Sequence, residues 1–413
     1  MAHDPRRVLP SEWRADSPPR VRSRQAYITE LIRRAPPLSA IGLTDLPDLD
    51  FDRDRIDTYN AVNTPRLTDA VARVLGSFAE RGDLDARVIR TFVTNLTSEG
   101  TAVGYAAQLQ GYDWLIREGA NFVPEIEHAG TLRRRQIALD GQFIPRHGGA
   151  FFDIKSYAFE PQLRAVAKRR LEGRLDNATV TIDGPGNHAP DAIQQHFFGS
   201  LREHIEKLSR GEIVRITELG WTLRAQPRLS GVATSTAEYD PGSLAHANRM
   251  MPLWFSSQFT TDAPYILMLV IPYGFGGNPF GIDVFGSTVD MFDRIAAHVF
   301  GAGRLDTSLA RDHDREMPPD VSVRDAVACL SGLALISEPG DGHRTTARIH
   351  VNQAARHPLT LEQVQSISPT WTVIVQNGHK QQQIGRYARW AFWAAAAGLI
   401  VAMVAWVARR AAS

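Results

Sequence analysis

The chain has 413 residues, of which 43% are hydrophobic and 22% charged, with a formal net charge of +1 and a single cysteine. That apolar content suffices for a substantial core in about two globular units, and the near-neutral balance excludes gripping nucleic acid by bulk charge, so any such binding needs a local basic patch. One cysteine, Cys329, excludes an intramolecular disulfide and a multi-cysteine zinc site and fits a reducing compartment.

Residues 1–60 read as a proline-rich arm. Pro10, Pro18, Pro19, Pro36 and Pro37 interrupt any long helix and leave Gln25 to Arg34 for a short one. Met1 to Pro37 contains no apolar segment of the kind that directs export. Thr64 to Arg81 is a predicted helix with Val71, Val74, Leu75 and Phe78 on one side. A second predicted helix starts between Thr97 and Thr101, carries Val103, Ala106, Ala107, Leu109, Trp114, Leu115 and Ile116, and stops at Gly119. Three strands follow: Asn121 to Glu127, Arg135 to Asp140, and Ala150 to Tyr157, with Gly148-Gly149 in the turn between the last two.

The third strand contains Phe152-Asp153-Ile154-Lys155-Ser156. Side chains two apart on a strand leave the same face, so Asp153 and Lys155 point together, and the hairpin can bring Asp140 beside them. Two carboxylates and an ammonium on one sheet face suit metal-dependent phosphodiester hydrolysis. The carboxylates are hard oxygen ligands for Mg²⁺ or Mn²⁺, and the lysine can orient water or neutralise charge on phosphorus.

This order of helix and three antiparallel strands, with acids on the second and third, resembles the PD-(D/E)XK nuclease superfamily over roughly positions 97 to 185. Asp140 matches the first acid of that motif, Asp153 the second and Lys155 the lysine; Leu139 stands where the family has proline. The resemblance implies an α/β fold with a restriction-endonuclease-like mixed sheet flanked by helices, and a site in which Asp140 and Asp153 hold the metal. It also implies a further glutamate, for which Glu99 near the helix start is the candidate, with Glu125 and Glu127 on alternate positions of the first strand as the other choices.

After the third strand, Glu160 to Arg174 is a predicted helix with Pro161 in its first turn, an apolar stripe of Leu163, Val166, Ala167 and Leu171, and a basic remainder. Arg164, Lys168 and Arg169 on that helix, with Arg133 and Arg134 before the second strand, are the candidate phosphate contacts. A strand near Ala178 to Asp183 and a helix near Ala189 to Ser209 complete a predicted core spanning 61–220. Residues 221–380 form either an extension of that core or a second domain. Their clearest elements are a buried strand bounded by Pro264 and Pro272, helices at Thr288 to Val299 and Leu359 to Ser366, and a strand at Thr345 to Val351. The histidines lack the spacing of a hydrolytic zinc site, and Gly274 to Asn278 lacks the lysine of a phosphate loop.

Trp390 to Ala408 carries no charged residue, is bracketed by Arg386, Arg389 and Arg409-Arg410, and has tryptophans near its ends. At about 1.5 Å per residue, ~20 such residues cross the hydrocarbon layer, so 389–408 is a predicted carboxy-terminal transmembrane helix. The distribution of Lys380, Arg386 and Arg389 before the span favours a cytoplasmic main domain. The expectation is a membrane-anchored, Mg²⁺- or Mn²⁺-dependent nuclease acting on DNA at the cytoplasmic face; the alternative is a catalytically inactive, tail-anchored interaction or scaffold protein.

Overall fold

The computed structural model describes residues 21–51, 62–98, 101–144, 149–157, 160–175, 177–186, 188–227, 241–271, 288–309, 317–337, 346–367, 371–377 and 380–384. The expected span 389–408 and Glu99 lie outside the described residues. No helix among the described residues is long and apolar enough to cross a membrane.

Among the described residues, four α-helices precede the first strand: α1 (Arg24–Arg34), α2 (Pro65–Arg81), α3 (Ala86–Leu96) and α4 (Ala102–Arg117). Their ends follow local chemistry. Ser23 caps α1 by accepting from the Ala26 amide at 3.3 Å, Pro65 opens α2, and Asp85 caps α3 by accepting from the Arg87 amide at 2.5 Å. Gly82 adopts a left-handed conformation at the end of α2, with φ of 67°. The helix expected to begin between Thr97 and Thr101 begins at Ala102, because α3 occupies the preceding stretch and ends at Leu96.

Strands β1 (Phe122–His128), β2 (Ile137–Phe143) and β3 (Phe151–Ser156) then run antiparallel to one another. They open an eight-stranded mixed sheet completed by β7 (Tyr265–Ile271), β8 (Gly332–Ser337), β9 (Thr346–Asn352), β10 (Thr372–Asn377) and β11 (Lys380–Ile384). β3 pairs parallel with β7, and β7 parallel with β8. β9 is antiparallel to β8 and parallel to β10, and β11 closes the order antiparallel to β10. β7 to β11 continue the sheet that β1 to β3 begin.

Every residue of β7 is buried, the mark of a central strand covered on both faces. Ile266, Met268 and Val270 enter the core beneath α1 to α4, with Phe152, Ile154, Tyr112 and Val351. Tyr265, Leu267 and Leu269 enter a second core on the opposite face, against helices α8 (Thr288–Gly301) and α9 (Val323–Cys329) through Phe292, Ile295, Val299 and Val327. Each such fully buried aliphatic side chain contributes about 1.5–3 kcal/mol. The sheet is therefore pinned from both sides at the strand that adjoins β3.

The chain between β3 and β7 builds its own small unit. It contains α5 (Glu160–Arg174), β4 (Ala178–Asp183), α6 (Pro190–His196), α7 (Leu201–Ser209), β5 (Val214–Ile216) and β6 (Trp221–Pro227). The three strands form a separate antiparallel sheet in the order β4-β6-β5, and Leu171, Val180, Ile182, Phe197, Trp221 and Leu223 make a separate core. The single helix expected over 189–209 is two helices, interrupted by a short 3-10 turn at Phe198–Ser200 where the Phe197 and Phe198 rings meet edge to face at 4.9 Å.

Candidate active site

The site forms where the β1-β2-β3 ribbon changes face. In an unbroken strand, residues four apart share a face. Here Phe122 packs in the core beneath the amino-terminal helices whereas Ile126 packs in the opposite one, and Phe143 and Leu139 are divided in the same way. The switch falls at Glu125, whose φ of 51° is left-handed, between the paired positions Pro124–Gly141 and Ile126–Leu139 of the two strands. A non-glycine residue in that region costs of order 1–3 kcal/mol, and the strain is spent turning two carboxylates toward one another.

Beside the switch, β2 and β3 pair only at Gly141 with Phe152 and Gln142 with Phe151. Beyond that point the ladder is completed by side chains. The Asp140 amide donates to Asp153 Oδ1 at 3.1 Å, and the Ile154 amide donates to Asp140 Oδ2 at 2.6 Å. Gly141 is required at the last backbone pair, since a Cβ there would lie 2.6 Å from the Phe152 ring and 2.7 Å from the Val123 carbonyl oxygen.

Lys155 leaves β3 on the same face as Asp153. Its ammonium Nζ lies 3.4 Å from Asp153 Oδ1 and 3.9 Å from Asp140 Oδ2. The three residues singled out in the sequence thus meet at one point between two strands. Asp153 is fully buried, and its second oxygen accepts from the Tyr265 hydroxyl at 2.6 Å. Lys155 keeps 20% of its side chain exposed and Asp140 keeps 13%, so the approach from solvent is over these two.

Helix α4 supplies the roof. Gly111 packs against Ile154 so closely that a Cβ would fall 2.7 Å from Ile154 Cγ2. That contact brings Gln108 and Tyr112, one helical turn apart, over the carboxylates. The Gln108 side-chain amide donates to Glu125 Oε1 at 2.8 Å and to Asp140 Oδ1 at 2.8 Å. The Tyr112 hydroxyl is 2.9 Å from Glu125 Oε1 and also contacts the Asp140 carbonyl oxygen.

Burial governs the protonation of this cluster. It pushes the Asp140 carboxyl up to about 8, with the charges of Asp153 and Glu125 adding to the rise and the Lys155 ammonium opposing it. Glu125 is raised for the same first reason, and the Asp153 charge adds to it. For Lys155, burial pulls downward, but the Asp140 and Asp153 carboxylates together outweigh it and leave the ammonium raised. Burial lifts the Tyr112 and Tyr265 phenols well above their ordinary range, so both remain donors at neutral pH.

Among the described residues no three His, Cys, Asp or Glu side chains are grouped to hold a metal as they stand. Each carboxylate is instead engaged by a donor: Glu125 Oε1 and Asp140 Oδ1 both accept from the Gln108 amide, and Asp153 Oδ1 accepts from the Asp140 amide; carboxylate oxygens are the ligand type a hard cation would take. Of the alternative glutamates on the first strand, Glu125 joins the cluster, whereas Glu127 is exposed and contacts Gln136.

The candidate phosphate contacts fare differently. Arg164 is 7% exposed and holds the inserted unit together. It donates to Glu160 Oε1 at 2.9 Å and to the Ile182, Gly184 and Pro185 carbonyls, and its guanidinium stacks 4.4 Å from the Trp221 ring centroid. A side chain so committed is a staple, not an exposed phosphate ligand. Lys168 pairs at 3.8 Å with Glu172, one turn along α5, and Arg169 lies on the same helix. Arg134 is exposed and pairs at 2.5 Å with Asp320, and Arg133 beside it is half-buried.

Gln108, Tyr112 and Tyr265 escaped the sequence reading. A signal for the first two exists in retrospect: two polar side chains four apart, on one face of a helix rich in apolar residues. Tyr265 carries none, since an aromatic residue at the start of a buried strand is ordinary core. No protein-family model, curated protein or solved structure matches this chain.

Proposed function

We propose that the chain is a divalent-metal-dependent phosphodiester hydrolase, a nuclease of the PD-(D/E)XK type acting on DNA. The observation that carries this reading is the meeting of Asp140, Asp153 and Lys155 within 4 Å where β2 and β3 part, with Glu125 joined to Asp140 through the Gln108 amide. Glu125 and Asp140 would hold Mg²⁺ or Mn²⁺, with Asp153 as the buried support of that pair. Such an ion neutralises phosphate charge and makes hydroxide available at neutral pH.

The chain's own residues have definable tasks. Asp153, held by Tyr265 and by the Asp140 amide, keeps the two strands at a fixed spacing and fixes the Lys155 ammonium. Lys155, partly open to solvent, donates to the attacking water or to a non-bridging phosphate oxygen as negative charge builds on it. Tyr112 holds the Glu125 carboxylate in place. With Arg164 internal, the basic groups that remain for the phosphate backbone are Arg133, Arg134, Lys168 and Arg169. The charge-free stretch 390–408 is the proposed tether to a membrane, with the main domain on the cytoplasmic side.

The full-length chain in detergent, incubated with plasmid and linear DNA and Mg²⁺ or Mn²⁺, tests the reading. Cleavage that disappears in Asp140→Asn and Lys155→Met supports it. A wild-type protein inert on every DNA and RNA form, or variants that cut as well as wild type, overturn it.

A further inference from the structure

The Gln108 amide nitrogen stands 2.8 Å from Glu125 Oε1 and 2.8 Å from Asp140 Oδ1. It bridges two acids on different strands from a helix that Gly111 seats directly on β3. A donor within hydrogen-bond distance of both carboxylates lies where a hard cation ligated by the same two oxygens would sit, because metal–oxygen distances of about 2.0–2.6 Å require the ion to lie between them. We propose that Gln108 occupies the cation's seat in the metal-free protein and competes with the divalent ion for Glu125 and Asp140.

The inference rests on the metal-dependent reading above and extends it to a residue outside the acid and lysine motif. Gln108 supplies one amide N–H₂ group to two acid oxygens on different strands, each at 2.8 Å. An ion entering from the side of Asp140 and Lys155 must displace those two hydrogen bonds. Tyr112, 2.9 Å from Glu125 Oε1, keeps Glu125 in place when the amide leaves. Gln108 is therefore a positioning residue for the two acids, and its removal strengthens metal binding where removal of a ligand would weaken it.

Mn²⁺ binding to the full-length protein, followed by electron paramagnetic resonance of free Mn²⁺, measures this without any turnover. Gln108→Met, which keeps the length and removes the donor, is expected to bind Mn²⁺ about tenfold more tightly than wild type, the scale set by the loss of side-chain hydrogen bonds. Its metal-free form is expected to melt below wild type and its Mn²⁺-loaded form to gain more. Gln108→Lys, which places a full charge in the same seat, is expected to lose Mn²⁺ binding while its metal-free form melts above wild type. That variant carries the test should Gln108→Met fail to fold. If wild type binds Mn²⁺, Asp140→Asn does not, and Gln108→Met binds equally or more weakly, the role of Gln108 is wrong and the metal reading stands. If neither wild type nor Gln108→Met binds, or if Asp140→Asn binds as wild type does, both fall.

Discussion

The main-chain amide of Asp140 donates to the side chain of Asp153 at 3.1 Å, across the place where a backbone carbonyl of β3 would otherwise receive it. The carboxylate that organises the candidate chemistry is thereby part of the sheet's own hydrogen bonding.

The metal-free protein loses stability as pH rises from about 4 to about 8. Burial, reinforced by Asp153 and Glu125, raises Asp140 from 3.8 to about 8 in the folded chain, so between those values the folded state keeps a proton that the unfolded state has released. The stabilising contribution is complete below the unfolded value and is lost as pH climbs through the folded one. A divalent ion, which binds the ionised form, reverses the slope at the alkaline end. Melting temperatures from pH 4 to 9 with and without Mn²⁺ check this; equal profiles for wild type and Asp140→Asn would contradict it.

Tyr265→Phe removes the hydroxyl that donates to the buried oxygen of Asp153 at 2.6 Å. A buried carboxylate oxygen left without its donor costs about 1–3 kcal/mol, measurable by urea denaturation. Because Asp153 in turn fixes Lys155, turnover should fall with little change in apparent DNA affinity. A variant as stable as wild type would show that Asp153 finds another donor.

Arg164→Ala is expected to damage the inserted unit and not the grip on DNA. Glu160 is fully buried and would lose its guanidinium partner, a change of about 3–5 kcal/mol. Hydrogen exchange should rise across α5, β4 and β6, while the salt dependence of DNA binding at temperatures where the unit stays folded should match wild type. A shallower salt slope would return Arg164 to the list of phosphate contacts.

Gly111→Ala sets helix propensity against packing. Alanine gains about 1 kcal/mol in a helix interior, but its methyl would meet Ile154 Cγ2 at 2.7 Å, and overpacking of that kind costs about 1–3 kcal/mol. The expected result is a modest net loss of stability with a larger loss of activity, because α4 must retreat from β3 and carries Gln108 and Tyr112 with it. Thermal melts paired with cleavage rates distinguish this from a neutral surface change.

Much of the architecture was legible in the chain because its signals are local. The alternation of Phe152 to Ser156, the apolar run of β7, Gly119 after α4 and Pro161 in the first turn of α5 each reflect backbone geometry set within a few residues. The pairing of Asp153 with Lys155 was legible for the same reason, since a strand fixes the direction of alternate side chains. Asp140 could be added because a hairpin links neighbouring strands by a short turn.

What the tertiary structure alone decided was which atoms face one another across long separations. No local pattern brings Gln108 to Glu125, sets Tyr265 on Asp153 from a strand on the far side of the inserted unit, or reveals that φ at Glu125 turns the ribbon over. The same holds for Arg164: a basic residue in a helix reads as solvated until the fold closes Glu160, Trp221 and three carbonyls around it. Sequence periodicity specifies faces, because faces follow from dihedral angles; partners follow from packing, which depends on every element at once.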